Sequence, residues 1–89
     1  MKHYNITVIG KVQGVFYRQS TVEISNQLGV KGFVRNEANG NVFIEAEGTE
    51  GQLKKLVEWC KMGPSGAKVI EVKIAEGEMK NFFVFEIKR

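Results

Sequence analysis

The chain has 89 residues, of which 43% are hydrophobic and 26% charged, and its 13 basic and 10 acidic side chains give a formal net charge of +3. This composition describes one small globular domain over residues 1–89; it excludes a disordered chain, and no apolar run approaches the roughly 20 residues a bilayer span needs. Charges of both signs are interspersed without a block of five alike, which argues against a nucleic-acid stripe, while a mildly positive balance suits a small anionic ligand. A lone cysteine, Cys60, rules out an internal disulfide, and Met1–Asn5 carries no apolar signal core, so the expectation is a cytoplasmic protein.

Residues 3–10 read as a strand. Tyr4, Ile6 and Val8 lie on one face, Thr7 and Ile9 on the other, and this near-continuous apolarity predicts a central position. Gly10 and Gly14 then bracket a short loop, and Arg18 stands where helical periodicity begins. Glycines allow successive N–H groups to turn inward on one anion, and a helix start adds free N–H groups and a positive dipole end. Arginine adds a planar fork of donors matched to phosphate or carboxylate. Residues 10–18 therefore read as a phosphate cradle. The segment contains neither a Walker pattern nor G-x-G-x-x-G, so nucleotide binding is not supported.

Residues 18–29 read as a helix whose stripe is Tyr17, Thr21, Ile24 and Leu28, stopped by Gly29. Residues 30–37 and 41–47 read as strands joined at Asn39-Gly40, the dipeptide of type I′ hairpins, in which both central residues take positive φ. Residues 50–62 read as a second helix with Leu53, Leu56, Val57 and Cys60 on its apolar stripe, which makes Cys60 a core group rather than a reactive thiol. Gly63-Pro64-Ser65-Gly66 ends that helix, residues 67–75 alternate as a strand, and a last strand runs from Phe82 to Ile87. The order predicts a ferredoxin-like split β-α-β fold of the α+β class. Its mixed, largely antiparallel sheet is expected to carry two helices on one face and a short extra C-terminal strand.

Two segments together make the chain resemble the acylphosphatase family. The first is an aliphatic residue followed by G-x-V-Q-G-V-x-aromatic-R, met at Val8, Gly10, Val12, Gln13, Gly14, Val15, Tyr17 and Arg18. The second runs G-aromatic-small-basic-N-xxx-G-x-V-xxxxx-G, met at Gly32, Phe33, Val34, Arg35, Asn36, Gly40, Val42 and Gly48. The resemblance covers the whole chain in length and element order. It implies a hydrolase that splits a carboxyl–phosphate anhydride, with Arg18 and Asn36 as catalytic residues. Lys11, Val12, Gln13, Gly14, Val15, Phe16, Tyr17 and Arg18 then form the phosphate-binding loop. It implies no metal and no organic cofactor, a small acyl phosphate and inorganic phosphate as the only partners, no nucleic acid, no membrane, and a monomer.

The residue chemistry agrees with that assignment. His3, the only histidine, starts the first strand, roughly 20 Å from the loop at its other end, so it cannot serve there. One Cys and one His supply no metal-ligand spacing, and the carboxylates show no acid/base pairing. A carboxylate leaving group, with a conjugate-acid pKa of about 4, departs without a proton, so positioning and charge stabilisation can suffice. Asn36 carries a donor and an acceptor and can aim a water without titrating. In this fold the second strand does not neighbour the first, so Asn36 must reach the loop across an intervening strand. Lys11 and Gln13 are expected to contribute backbone more than side chain. Tyr17 stands where the family more often has Phe or Met, and Glu37 stands where threonine or an apolar residue is common, placed to repel the anion or to pair with Arg18. Two other readings remain: a non-catalytic anion-binding module, and a nucleic-acid module of the same fold using Phe33 and Phe43 as stacking faces.

Overall fold

The computed structural model describes residues 1–89, and its first strand is the organising one. β1 (Lys2–Lys11) buries Ile6 and Val8 completely, as the apolar alternation requires. It is followed by α1 (Tyr17–Leu28), β2 (Lys31–Asn36), β3 (Val42–Gly48), α2 (Glu50–Met62), β4 (Lys68–Gly77) and β5 (Phe85–Ile87). The strands lie in the order β4-β1-β3-β2-β5, every pair antiparallel except β2 with β5. Ile6, Val8, Val34, Val42, Ile44 and Ala46 form the helix-facing side of the sheet and join Tyr17, Leu53, Leu56, Val57 and Cys60 in one core. No helix is long and apolar enough to cross a membrane.

Both helices fall where periodicity places them, but they are held differently. Thr49 accepts from the Gln52 N–H at 3.2 Å while the Gln52 side chain accepts from the Thr49 N–H at 2.8 Å, a closed capping box at the start of α2. The deepest stripe of α1 is Tyr17, Thr21 and Ser25, with Ile24 and Leu28 only partly buried. Beyond Tyr17 this stripe is built from the small side chains of Thr21 and Ser25, and Thr21 donates its hydroxyl to the Tyr17 carbonyl at 2.8 Å. Thr21 belongs to the expected stripe, whereas apolar spacing alone does not register Ser25.

The β2–β3 turn differs from the type I′ form expected at Asn39-Gly40. Only Gly40 is left-handed, at φ 95°, and the turn is closed one residue earlier by Gly40 N–H donating to the Glu37 carbonyl at 3.1 Å. The Asn39 side chain instead accepts from the Asn41 N–H at 3.1 Å, an arrangement that leaves Asn39 with negative φ.

On the sheet face opposite the helices, the chain crosses from β4 at one edge to β5 at the other. The crossing is fastened by Glu47 of β3. Its carboxylate accepts from the backbone N–H groups of Lys80, at 2.6 Å, and Phe82, at 2.9 Å, and lies 2.7 Å from Nδ1 of His3. Left-handed Asn81, at φ 59°, stands between the two donors, so both N–H groups converge on one anion. The last strand is shorter than expected: the Phe82 N–H is given to Glu47, and pairing with β2 begins only where the Val84 carbonyl accepts from the Gly32 N–H at 2.8 Å, leaving Phe85–Ile87 as the strand. The Phe82 ring packs edge-on against Phe33 with centroids 5.8 Å apart, and the Lys88 ammonium lies 4.4 Å from the Phe33 ring centroid, so Phe33 is left 5% exposed and presents no stacking face.

Burial pushes the Glu47 carboxyl up, but the Lys80 N–H, the His3 ring and the Phe82 N–H outweigh it and hold the group below its ordinary value of 4.5. A depressed folded-state value adds stability above the unfolded pKa, and that stability disappears as pH falls through the folded one. Glu47→Gln is expected to cost about 1.5–3 kcal/mol at neutral pH. Between about pH 6 and 3 the loss of Tm should be smaller in the variant than in the wild type; equal slopes would detach Glu47 from the acid transition.

Candidate active site

The loop between β1 and α1 is built to leave donors free. Gly14 sits at φ 73° with nothing within 4 Å of where a Cβ would stand, so the glycine is required by backbone conformation and not by space. Phe16 is also left-handed, at φ 63°, and serves as the N-cap of α1 without a side-chain cap; no acidic residue follows in the first turn. Unlike α2, therefore, α1 starts with backbone N–H groups that no side chain satisfies and with its positive end unneutralised. Arg18, the second residue of α1, is half-buried and takes part in none of the chain's ion pairs.

The sheet brings Asn36 to this loop. Asn36 pairs with Val42 of β3, and Val42 pairs on its other side with Val8 of β1, two residues before Gly10. The three form one row across the sheet, and Asn36, two residues past fully buried Val34, shares the helix-facing side. Its Oδ1 is buried and accepts no hydrogen bond from the protein.

Arg18 and Asn36 share a cavity of about 360 Å³, lined by Val12, Gly14, Phe16, Tyr17, Arg18, Gln19, Asn36, Ile87 and Arg89. Of the predicted loop, Val12, Gly14, Phe16, Tyr17 and Arg18 line it, whereas Lys11, Gln13 and Val15 do not. Lys11 is exposed at the end of β1 opposite Lys68, and Val15 packs against the core. Gln13 departs from the expectation that its backbone contributes more than its side chain. Its Nε2 donates to the carbonyls of Glu37, at 2.8 Å, and Asn41, at 2.9 Å, which ties the loop to the hairpin just beyond Asn36. A neutral amide with two N–H donors can bridge two carbonyls, and that property was the available signal. Glu37 forms no ion pair with Arg18; its role here is the carbonyl that Gln13 holds.

Ile87 and Arg89 were not foreseen. They arrive because β5 runs parallel to β2, with Lys88 N–H donating to the Val34 carbonyl at 2.9 Å, so the chain end is carried to the level of Asn36. Nothing in a sequence of isolated strands signals which neighbour the last one joins.

No group at the cavity is set up to take a proton. Burial raises the Tyr17 hydroxyl far above its usual value, and the hydroxyl points away, donating to the Cys60 carbonyl at 2.8 Å. The Cys60 thiol is pushed up to about 12 by burial, consistent with a core group and not a nucleophile. His3 lies among Glu45, Glu47 and Asn5, at the opposite end of β1. What the arrangement can do is grip a tetrahedral anion with a guanidinium and backbone N–H groups and offer a neutral acceptor beside it.

Comparison with known proteins follows the same line. A family model described as Acylphosphatase matches residues 4–87. A protein named acylphosphatase from Acaryochloris marina is 46% identical over 82 residues, covering 92% of this chain and 88% of that protein. One of the same name from Marinobacter nauticus is 49% identical over 76 residues, covering 85% and 83%. The crystal structure of acylphosphatase from Bacillus subtilis superposes with a TM-score of 0.97 at 33% identity, covering all of both chains.

Truncating the loop–hairpin tie should be felt on both sides of the cavity. Gln13→Ala is expected to destabilise by about 1–3 kcal/mol, since the Glu37 carbonyl loses a partner, and to accelerate amide exchange in the Glu37–Asn41 turn. Unchanged exchange there would show that the hairpin holds its position unaided.

Proposed function

The chain belongs to the acylphosphatase family, and on that footing we propose that it hydrolyses the carboxyl–phosphate bond of an acyl phosphate, releasing a carboxylate and inorganic phosphate. The observation that carries the mechanism is the buried, unpartnered Oδ1 of Asn36, a residue that lines the same cavity as an unpaired arginine. A buried acceptor left without a donor costs on the order of 1–3 kcal/mol, so such a group is retained where a ligand or water satisfies it.

In this reading Arg18 and the N–H groups of the loop and first turn of α1 bind the phosphoryl oxygens. Asn36 accepts a hydrogen bond from the attacking water and aims its oxygen at phosphorus. The water oxygen bonds to phosphorus as the phosphorus–acyl oxygen bond breaks, and the electron pair leaves with the carboxylate. That leaving group needs no acid, so the reaction calls on no metal, cofactor or covalent enzyme intermediate. The water's proton passes to a phosphoryl oxygen of the substrate, since the cavity lining contains no side chain suited to receive it. We read a single chain as the catalytic unit, because Arg18 and Asn36 line one cavity within it. A free thiol sequestered in the core suits the reducing cytoplasm, where we place the enzyme.

Benzoyl phosphate hydrolysis in EDTA tests the reaction: turnover is expected to persist, and a protein that binds phosphate but never turns over would be a binding module instead. Asn36→Ala separates water from phosphate. It is expected to lower kcat by about 10²–10³, the equivalent of roughly 2.7–4 kcal/mol, while competitive inhibition by phosphate changes little. A folded variant with near-normal kcat would return Asn36 to a purely structural place at the end of β2.

Arg18→Lys keeps the charge but replaces a planar fork with a point donor. Inhibition by phosphate is expected to weaken along with turnover, and wild-type inhibition in this variant would argue against two-point holding of the anion.

A further inference from the structure

Val15, Phe16 and Tyr17 are three apolar residues in a row, and the core takes only two of them. Val15 packs against it and Tyr17 lies within it at 1% exposure, whereas Phe16 is 78% exposed. The Phe16 ring pairs with no other aromatic ring and belongs to no part of the core. Its backbone is left-handed, at φ 63°, a conformation that disfavours side chains and bulky ones most. The other such non-glycine residue, Asn81, stands between the two N–H groups that converge on Glu47, so its conformation has a use within the fold. The Phe16 side chain has none there. What it does is line the cavity, and a large apolar group left exposed at a concave polar site is the mark of a ligand contact.

We infer that Phe16 and Ile87 form the acyl side of the cavity and select acyl phosphates whose acyl group is extended and apolar, an inference that rests on the hydrolysis proposed above. In-line displacement puts the acyl group on the far side of phosphorus from the water. Arg18, the loop N–H groups and Asn36 are engaged by the phosphoryl oxygens and the water, and Val12 and Tyr17 are each 1% exposed. Phe16, Gln19, Ile87 and Arg89 remain to meet the acyl group. Ile87 is held against the core, which makes it a fixed apolar wall, while Gln19 and Arg89 are exposed to water. A cavity of about 360 Å³ holds about twelve waters at ~30 Å³ each, so a phosphoryl group leaves room for several carbon atoms. Apolar surface there favours a substrate only if the substrate has apolar surface to withdraw from water. An acetyl group has one methyl to offer; a longer or cyclic acyl group reaches both side chains.

The kcat/KM for hexanoyl phosphate divided by that for acetyl phosphate tests this. Their parent acids are of nearly equal acidity, so leaving-group reactivity cancels and the ratio reads the acyl contact. In the wild type it is expected to reach at least about tenfold, the lower end of what added methylenes gain in an apolar pocket. Phe16→Gly removes the ring and suits the left-handed backbone, so it should melt no lower than the wild type while the ratio falls about fivefold. Phe16→Leu keeps an apolar side chain on the same backbone and should hold the ratio within about twofold of the wild type. Acetyl phosphate is the reference in each protein, so any change in how the loop holds phosphate cancels. Adipoyl phosphate carries a carboxylate at the end of the same six-carbon chain and should be a poorer substrate than hexanoyl phosphate. The reverse order would assign the acyl side to Arg89 and overturn the inference. So would a wild-type ratio near one, or a folded Phe16→Gly with an unchanged ratio. Hydrolysis of none of these compounds would instead remove the proposed reaction, and the acyl side with it.

Discussion

The site depends on one constraint, the register between β2, β3 and β1. Asn36 and the β1–α1 loop are supplied by strands that never touch, and β3 lies between them. Because side chains alternate, a one-residue slip of β2 would turn Asn36 to the open face and put Arg35 or Glu37, depending on its direction, in its place. Two devices hold the register. Val34, Val42 and Ile44 are completely buried on the helix side, which fixes the parity, and the Gln13 amide grips the hairpin carbonyls from the loop.

The electrostatics of the cavity follow from what is withheld as much as from what is present. α2 satisfies its own N-terminal donors with a capping box and places Glu50 in its first turn, whereas α1 does neither and adds Arg18 at its positive end. A cation there is unfavourable in isolation by a few tenths to about 1 kcal/mol. The unsatisfied donors, the unpaired guanidinium and the orphaned Asn36 oxygen together amount to local instability concentrated at one cavity. The remainder of the fold offsets it with a well-packed core and with Glu47, a carboxylate that is fully partnered.

Much of this was legible in the sequence because it is local. Strand alternation, helix stripes, the glycine loop and the positions of Arg18 and Asn36 are all set by residues within a few positions of one another, and two motifs at fixed spacing reinforced them. The features that escaped are tertiary. Glu47 is 33 and 35 residues from the N–H groups it captures, and Gln13 is 24 and 28 residues from its carbonyls. No periodicity encodes such pairs. The turn at Asn39-Gly40 fails for a different reason, since the Asn39 side chain bonds locally to Asn41 and changes which backbone form is preferred. Ser25 was missed because close helix packing uses small residues that hydropathy treats as surface.

The fastening of the crossing segment by Glu47 gives the two ends of the chain unequal standing. Residues past the strap are delivered along β2 until Arg89 reaches the cavity rim, whereas Met1 is exposed at the other end of β1, a full strand length from the loop. A purification tag or fused domain joined before Met1 would therefore begin far from the cavity. One joined after Arg89 would start at its mouth, where the added chain competes with whatever enters, so the choice of attachment point is itself a choice about access to the site.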